Sequence, residues 1–405
     1  MSADALYKVM GLQGYDVLST SQTDGVLTID VAARRAALRC GKCGCQRVHL
    51  HERRRREWRA PPLGITPVVV TMNSPRVKCL ECGAKTWHQP KFANGQRRVT
   101  KQCEITVAAW LPRVTVRDAE QMFGLSWNTV CQIDLQRLHK LSRPNLSKIR
   151  RLALDENYLG KKYKFITVVL DLDTHAIVAV VRGRGAAAVK SVVTRIKKAR
   201  AQIKSVAIDM AGGYIAAVKK YLPEALLVFD HFHVIKLMNE KLTALRRELF
   251  NKLSDQAQRA VLKGVRWLLL KNPENLKQTA DVDELARLQA ALQLNQELFL
   301  AYYLKDDLRQ FWLQKSEQAA GKFLDDWCRR ATATGIRQMK TMAKTLQKHR
   351  RGLLNWYQDP ISTGPLEGIN NKIGALQRRA YGYRNFEHFQ ERLLTLHHTK
   401  FRLCG

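Results

Sequence analysis

The chain has 405 residues, which predicts two to four domains, and 45% of them are hydrophobic, which excludes a largely disordered protein. Its 69 Lys and Arg residues against 35 Asp and Glu residues give a formal net charge of +34. That charge is far more than solubility requires and indicates a polyanionic partner, with nucleic acid the first candidate and an anionic membrane surface the second.

The sequence offers little sign of a membrane protein. Its longest apolar runs, such as residues 176–181, are the length of a strand and far below the ~18 residues of a membrane span. The first ten residues include Asp4 and Lys8 and lack the apolar segment of a signal peptide. We therefore expect a cytoplasmic protein that does not act at a membrane.

Four of the nine cysteines form two pairs, Cys40 with Cys43 and Cys79 with Cys82. Each pair has the sequence C-x-x-C-G, in which one tight turn supplies two thiolates and the glycine permits that turn. In a cytosolic chain such pairs favour metal over disulfides. Residues 1–95 are therefore predicted to form a module around one structural zinc ion, with reduced, buried cysteines as the alternative.

Other side chains near the first pair are weaker candidates for a role in this module. Cys45, His49 and His51 are potential ligands, but they lack a partner pair and are left out of the predicted site. A basic run between the two pairs is predicted to contact phosphate, with a solvated turn as the alternative. The residues of this run are Arg53, Arg54, Arg55 and Arg56.

Residues 96–150 are predicted to form short helices that include a DNA-binding helix-turn-helix. The first helix would run from its cap at Thr115 to Phe123, and the second from its cap at Ser126 to about Lys140. A helix-turn-helix usually has a small residue four positions before the glycine of its turn, and here that residue lies one position earlier. The alternative for this region is a plain helical linker. The residues predicted to face the major groove are Trp127, Asn128 and Gln132.

Strands and helices alternate over residues 151–235, and three of the strands are predicted to end in an acid. Asp155 would end the first strand, and Asp209 the fourth if an intervening hairpin supplies the second and third. The first and fourth strands are adjacent in a ribonuclease-H-like sheet, and acids at the ends of neighbouring strands converge at its edge. Because two-metal phosphodiester chemistry needs carboxylates from distant points of the chain, these two acids are predicted metal ligands.

Asp230 ends the next predicted strand and begins an Asp-x-x-His sequence that finishes at His233. The histidine is equally compatible with a place in the core beside the metal site and with a contact to DNA.

From residue 234 to about residue 354 the chain consists almost entirely of helix formers, with apolar residues three and four apart, which predicts a helical segment.

A third acid must come from a helix laid across these strands, and Glu367 opens the helix that follows a proline-rich break at residues 359–365. One face of this helix is an apolar stripe, and the neighbouring face carries Glu367 and, one turn later, Asn371. Asn371 is predicted to orient Glu367 or to contact DNA. Asp359 precedes a proline and Glu387 lies beyond an interruption in the helix, so both are poorer candidates. The alternative for Glu367 is simple stabilisation of the helix amino terminus.

The chain resembles the bacterial insertion-sequence transposases of the ISL-three family over nearly its whole length. Besides the cysteine pairs and the helix-turn-helix, the matching segments are residues 154–156, 228–234, 265–271, 367–371 and 379–385. The resemblance implies an α/β ribonuclease-H-like catalytic core of the DDE type, interrupted by an all-α insertion and preceded by the zinc-binding module and the helix-turn-helix. By matching position, the catalytic residues would be Asp155, Asp209 and Glu367.

This resemblance also implies the domain boundaries and the reaction. The expected domains are the zinc module 1–95, the helix-turn-helix 96–150, the core 151–235 and 355–405, and the insertion 236–354. The enzyme would bind the terminal inverted repeats of its insertion sequence. With two Mg²⁺ ions it would then free a 3′-hydroxyl and join that hydroxyl to target DNA. This chain departs from the family pattern at two places. Position 231 is histidine where arginine is usual, and residues 362–365 read Ser-Thr-Gly-Pro.

The implied partners are double-stranded DNA, at the transposon ends and at the target, and a second copy of the chain in a homodimer or larger synaptic complex. Such a protein would act on the bacterial nucleoid. Two alternatives remain from the residues alone. One is a structure-specific nuclease on the same fold, and the other is a DNA-binding regulator whose catalytic core has decayed.

Overall fold

A computed structural model describes residues 7–95, 97–141, 143–161, 164–210, 212–279 and 281–398. The chain falls into two units, one of Met1–Ser142 with Leu376–Gly405 and one of Arg143–Ala375. Residues 376–398 thus group with the amino-terminal residues, whereas the sequence predicted one segment from residue 355 to the end. Within the described part of the chain, none of the helices has the length and hydrophobicity needed to cross a bilayer.

The amino-terminal sheet has five strands in the order β1-β2-β4-β3, with β5 paired to β4. Residues 1–33 have only a weak sequence pattern, yet the described part of them forms the hairpin of β1 and β2, which turns at Asp24 and Gly25 with φ values of 52° and 73°. Trp58 and Met72 are two of the large apolar residues in the core of this sheet. The strands are β1 (Tyr15–Thr23), β2 (Val26–Ala33), β3 (Val48–Leu63), β4 (Thr66–Cys79) and β5 (Lys85–Trp87).

Three helices follow, and the second and third begin and end where the sequence predicts. Thr115 caps the second helix and exchanges hydrogen bonds with Asp118, and Ser126 caps the third. Gly124 has the left-handed conformation, with φ of 58°, that the turn between them needs. The helices are α1 (Lys101–Trp110), α2 (Val116–Phe123) and α3 (Trp127–Lys140).

The sheet of the second unit has the order β10-β9-β6-β7-β8. The first and fourth strands of this unit, β6 and β9, are parallel neighbours as predicted, and β7 is the one antiparallel strand of the five. The strands are β6 (Arg151–Tyr158), β7 (Phe165–Asp171), β8 (Ile177–Arg182), β9 (Ser205–Ile208) and β10 (Leu226–Phe229). The helices α4 (Ala186–Lys198) and α5 (Gly212–Tyr221) connect β8 to β9 and β9 to β10.

The segment after β10 is helical, as its apolar spacing predicts. Its core, which contains Trp327 and Phe311, is continuous with the core of the sheet. The helices of this segment are α6 (His231–Lys252), α7 (Gln256–Gly264), α8 (Pro273–Thr279), α9 (Val282–Leu294), α10 (Gln296–Leu308), α11 (Glu317–Ala333), α12 (Arg337–Lys348) and α13 (Arg350–Leu354).

Two helices close the described chain, α14 (Gly364–Arg379) and α15 (Phe386–Leu394). The predicted apolar stripe of α14 is buried at Leu366, Ile369 and Ile373. The interruption predicted between the two helices is present, because Tyr381 and Gly382 have φ values of 50° and 93°.

A buried ionic cluster joins α15 to α3 within the first unit. Asp134 of α3 has no exposed side-chain surface, and its carboxylate accepts hydrogen bonds from His388 Nε2 and Arg392 Nε, both at 2.7 Å. Arg137 completes the cluster at 2.7 Å. Burial alone would raise the pKa of Asp134, but the hydrogen bond from His388 and the charges of Arg392 and Arg137 outweigh it and hold the pKa below its usual range.

Candidate active site and zinc centre

The two cysteine pairs meet in the first unit as the sequence predicts. One sulfur atom from each of Cys40, Cys43, Cys79 and Cys82 lies within 4.8 Å of all the others. Cys40 Sγ is 3.7 Å from Cys82 Sγ, and Cys43 Sγ is 3.5 Å from Cys79 Sγ. Four sulfurs at the ~2.3 Å zinc–sulfur distance of a tetrahedral site are about 3.8 Å apart. The cluster therefore fits a closed, structural zinc site.

Backbone amides in both turns favour the thiolate form that zinc requires. The N–H groups of Cys43 and Lys42 point at the Cys40 sulfur and lower the pKa of that thiol to about 6. In the second turn the N–H groups of Cys82 and Glu81 lower the pKa of Cys79 in the same way. The other potential ligands, Cys45, His49 and His51, are not members of the four-sulfur cluster.

Three acids, Asp155, Asp209 and Asp230, lie level with one another at the end of the second sheet where its parallel strands β6, β9 and β10 have their carboxyl ends. The parallel pairing of β6 with β9 reaches Ala153 and Ala207, and Asp155 and Asp209 each lie two residues further along. Asp230 directly follows β10, whose last residue pairs with the last residue of β9. Asp155 does not end its strand as predicted, because β6 continues to Tyr158 along β7. The register nevertheless brings the predicted pair to the same edge.

The carboxylate of Asp155 is held from two sides. Its Oδ1 accepts a hydrogen bond from the N–H of Glu156 at 2.8 Å, and its Oδ2 accepts one from Asn370 Nδ2 at 2.8 Å. Burial raises the pKa of Asp155, and the negative charge of Asp209 raises it further. A cation between these two carboxylates would relieve both effects.

Asn370 is the residue beside Asp155 that the sequence did not predict. It joins α14 to β6 across 215 residues of chain, whereas the sequence singled out its neighbour Asn371, which is exposed. Asn370 follows Glu367 by three positions, so the two side chains share one face of α14, about 4.5 Å apart along the axis. Helical spacing from Glu367 was the signal that could have identified it.

Asp230 acts as an anchor for the start of α14. Its side chain is 1% exposed, and its Oδ1 accepts a hydrogen bond from the N–H of Thr363, the residue before this helix, at 3.2 Å. Its Oδ2 is 2.9 Å from Nδ1 of His233. Burial alone would raise the pKa of Asp230, but the hydrogen bonds from His233 and Thr363 outweigh it and lower the pKa.

His233 lies beside the acids and responds to their charge. The hydrogen bond with Asp230 raises the pKa of His233, burial opposes that shift, and the charges of Asp155 and Asp209 add to it. The histidine is half-buried. It therefore lies close to these acids, and both of the roles that the sequence left open stay predictions.

Glu367 lies in the first turn of α14 and is exposed. Among the residues that the structure describes, the cysteine cluster is the one set of three or more acidic, histidine or cysteine ligands within 4.8 Å of each other. Glu367 thus shares one face of α14 with Asn370, one helical turn away, but the three acids are not drawn together as they would be around a shared cation. Their donor set, three carboxylates, is nevertheless of the type that Mg²⁺ binds.

The alternative acids occupy other places. Asp359 accepts a hydrogen bond from Ser205 Oγ at 2.6 Å, and Ser205 begins β9, at the opposite end of that strand from Asp209. Asp359 is also 3.6 Å from Arg151 at the start of β6. Glu387 lies in the first turn of α15. Asp359 is therefore at the opposite end of the sheet from Asp155 and Asp209.

The predicted phosphate contacts lie on a strand rather than in a turn. Residues 53–56 belong to β3, so their side chains alternate between the two faces of the sheet. Burial lowers the pKa of Arg56, and the charges of Arg98 and Arg54 lower it further. These three guanidinium groups therefore form one positive cluster, in which Arg98 is a member that sequence reasoning missed.

The predicted groove-facing residues lie at the start of α3. Asn128 and Gln132 are exposed, one turn apart, and free of the core that joins the three helices. Trp127 is half-buried and packs against that core. The first two side chains are available for a base edge, whereas the tryptophan is partly engaged in holding the helices together.

Two family models match this chain. One, of the ISL-three type and described as "Transposase", matches residues 152–393, which is more than half of the chain. The other, described as "zinc-finger of transposase IS204/IS1001/IS1096/IS1165", matches residues 36–82 and so includes all four clustered cysteines.

The sequence is also similar to those of known proteins. It is 32% identical to the transposase for insertion sequence element IS1001 of Bordetella parapertussis, over 94% of each chain. It is 27% identical to the transposase for insertion sequence element IS1557 of Mycobacterium tuberculosis, over 89% of this chain and 86% of that one. The solved Drosophila P element transposase strand transfer complex covers 77% of this chain and 95% of its own at 12% identity, with a TM-score of 0.37, which is too low to define a shared fold.

Proposed function

The chain belongs to the ISL-three family of transposases, and we propose that it cuts and joins DNA at one metal site formed by Asp155, Asp209 and Glu367. The substrate would be the terminal inverted repeats of its own insertion sequence, and then a target DNA. The observation that carries the proposal is the 2.8 Å hydrogen bond from Asn370 to Asp155, because it fastens the helix of Glu367 to the strand of Asp155.

The sheet supports a ribonuclease-H-like assignment for the catalytic unit. Its order β10-β9-β6-β7-β8, with only β7 antiparallel, makes the first and fourth strands adjacent. The helical insertion of α6 to α13 enters after β10 and returns at the proline-rich break before α14. This is the interruption between the second acid and the glutamate that the family pattern implies.

Each side chain has a distinct task in this proposal. Asp155 and Asp209 provide carboxylate oxygens at the sheet edge, and Asn370 and the N–H of Glu156 orient Asp155. Asp230 fixes the start of α14 and thereby the approach of Glu367. When bound, two Mg²⁺ ions would activate water and stabilise charge on the attacking and leaving oxygens.

The first unit would hold the DNA. Exposed Asn128 and Gln132 on α3 would read base edges, and the cluster of Arg54, Arg56 and Arg98 would contact phosphate. The zinc would fix the loops of the sheet that carries these arginines. Asn371, exposed one turn after Glu367, remains a candidate contact to DNA near the site of cleavage.

Both ends of an element have to be cut together, so the active form would be a homodimer or a larger synaptic complex on double-stranded DNA. Such a complex would assemble on the chromosome in the nucleoid. Inverted repeats flanking the gene would identify the substrate.

A nicking assay on DNA that carries these ends tests the proposal. The zinc-containing wild-type chain is expected to nick at the element boundary with Mg²⁺ and not when Mg²⁺ is omitted. Glu367→Gln keeps the size of the side chain but removes its charge, so nicking should fall to background while binding to the ends is unchanged. Glu387→Gln, in the first turn of α15, is the matched control and should nick normally. Near-normal nicking by Glu367→Gln would remove Glu367 from the site.

A further inference from the structure

A groove of about 530 Å³ lies in the helical segment of the second unit, between α6 and residues 266–270. This is the size of a site for a small organic ligand or a nucleotide. Cations outnumber acids three to one among the charged side chains that line it. Its main polar and aromatic lining residues are Phe232, Lys236, Asn239, Glu240, Arg247 and Arg266.

The lining residues of α6 form a single stripe. Phe232, Lys236, Asn239, Thr243 and Arg247 are spaced four, three, four and four apart, which places them on one face of the helix. The stripe begins at Phe232, beside His233, whose pKa responds to Asp155 and Asp209. The groove therefore leads away from the edge of the sheet that carries the acids.

Arg266 and Leu270 line the opposite side of the groove, and they belong to the segment Val265 to Lys271, one of those that carry the family resemblance. Val265, Leu268 and Leu269 are buried in the core, whereas Arg266 is exposed and Trp267 is 65% exposed. The Arg266 guanidinium lies over the Trp267 ring, 4.5 Å from its centroid. The buried residues of this segment thus support an exposed ring and an exposed cation that pack on each other at the surface, beside the groove.

A buried lysine fastens this segment. Lys305 of α10 is 1% exposed, and its Nζ donates hydrogen bonds to the carbonyl oxygens of Leu269 at 2.9 Å and Lys271 at 2.8 Å. The segment that presents Trp267 is therefore anchored at both its apolar side chains and its backbone. A ring presented on such a support loses little conformational freedom when a ligand stacks on it.

Two polar features of the groove require a ligand of particular chemistry. Arg247 and Arg266 both lower the pKa of the neighbouring buried Arg246, after the larger effect of burial, so positive charge is concentrated here. An anion such as a phosphate would relieve that repulsion. Asn239 Oδ1, by contrast, is buried without a hydrogen-bond partner among the described residues and can accept one from an amino group.

We propose that this groove binds an unpaired DNA strand, with bases stacked on Phe232 in the groove and on Trp267 beside it, next to Arg266, and with phosphates on Arg247, Arg266 and Lys236. Base faces are hidden in a duplex, so exposed aromatic rings between cations suit a single strand. The identity of the strand rests on the proposed function, since cleavage at the neighbouring acids would release strand ends at the mouth of the groove. The capacity to bind a single strand does not depend on catalysis.

Fluorescence anisotropy with the full-length, zinc-containing chain in a buffer without Mg²⁺ tests the proposal, using a labelled 20-nucleotide oligo-dT and a 20-base-pair duplex as probes. Loss of the stacking of one base raises the dissociation constant by roughly 5- to 150-fold. Trp267→Ala should weaken binding of the oligo-dT by about 10-fold and leave duplex binding within twofold. Trp267→Phe should restore most of the loss, because the stacking face is kept.

Tyr303→Ala is the matched control, because Tyr303 is 58% exposed on α10 of the same helical segment, whereas Trp267 is stacked on Arg266, which lines the groove. It should change neither affinity. Photo-crosslinking of a 5-iodouracil oligonucleotide should place adducts at Trp267 or Phe232. Equal losses of oligo-dT and duplex binding in Trp267→Ala, or adducts confined to residues 1–142, would overturn the proposal. Because Mg²⁺ is absent, either result is independent of whether Glu367 supports nicking.

Discussion

The side chain of Asn370 connects two halves of the catalytic unit. Its amide donates to Asp155 at 2.8 Å, so it orients an acid that is proposed to bind metal. Removal of a residue that orients a metal ligand typically costs ~10- to 100-fold in metal affinity or activity. We expect Asn370→Ala to slow nicking by about that factor and to raise the Mg²⁺ concentration needed for half-maximal rate, while affinity for the ends is unchanged.

The neighbouring amide provides the comparison. Asn371 is exposed, so Asn371→Ala should leave the Mg²⁺ requirement unchanged and, if this side chain contacts DNA, weaken binding instead. An equal Mg²⁺ dependence in wild type and Asn370→Ala would show that the hydrogen bond to Asp155 does not orient that carboxylate.

Among the individual residues of the candidate active site, some positions can be predicted from the sequence better than others. Asp209 and Asp230 directly follow strands, so residue type and the end of an apolar run are enough to place them. Asp155 stands inside β6, because the antiparallel pairing with β7 continues where the parallel pairing with β9 stops. The choice between Asn370 and Asn371 depends on how α14 is rotated against the sheet, and no local pattern specifies that rotation.

Among the elements, the zinc turns give the simplest prediction. The four sulfurs are close enough for one tetrahedral ion, so the purified chain should contain one zinc per molecule. Cys79→Ser should lose that zinc and lower the thermal stability of the first unit, because the bound metal contributes directly to folding. Atomic emission measures the zinc, and Cys45→Ser, which alters a cysteine outside the cluster, should retain it. Full zinc in Cys79→Ser would rule out this ligand set.

The ionic cluster between α3 and α15 predicts a loss of stability. Asp134→Asn leaves Arg392 buried without its counter-charge, and breaking a buried pair in this way costs about 3–5 kcal/mol. Urea unfolding of the first unit should show a loss of this size at neutral pH. Because the pKa of Asp134 is lowered in the folded state, its contribution is present above the unfolded pKa near ~4 and is lost as the pH falls towards the folded value. A variant as stable as the wild type at pH 7 would contradict this.

The elements also differ in how far the sequence could predict them. The caps at Thr115 and Ser126 and the left-handed Gly124 are local signals, so α2 and α3 are found where the sequence places them. The β1–β2 hairpin has mostly exposed residues in β1 and therefore lacks a clear alternation. The link from Asp134 to His388 spans 254 residues of chain, and such a contact has no local signature.

For the whole molecule, the net charge of +34 predicts a strong dependence of DNA binding on salt. If the chain neutralises ~6 to 10 phosphates, affinity should fall by roughly 10³ to 10⁵ between 50 and 200 mM salt. Arg54→Ala should weaken binding on every sequence and reduce the slope of this dependence by about one. Gln132→Ala should instead relax the preference for the element ends. A salt slope near zero would contradict an electrostatic role for the charge.

These binding measurements require the full chain. His388 and Arg392 of α15 pair with the buried Asp134 of α3, so a fragment ending near residue 150 would lack the counter-charges of that acid. The chain thus returns to the first unit after residue 375, having supplied Glu367 to the second, a continuity that the sequence order alone does not reveal.

The central claim is that Asp155, Asp209 and Glu367 bind the same divalent ions, and iron-directed cleavage of the protein tests it most directly. Fe²⁺ that replaces Mg²⁺ produces hydroxyl radicals with ascorbate and peroxide, and these cut the backbone near the ion. The DNA-bound chain should be cut near residues 155, 209 and 367, with all three cuts suppressed together by excess Mg²⁺ and by Asp155→Asn. Cuts near residues 155 and 209 without one near residue 367 would contradict the account.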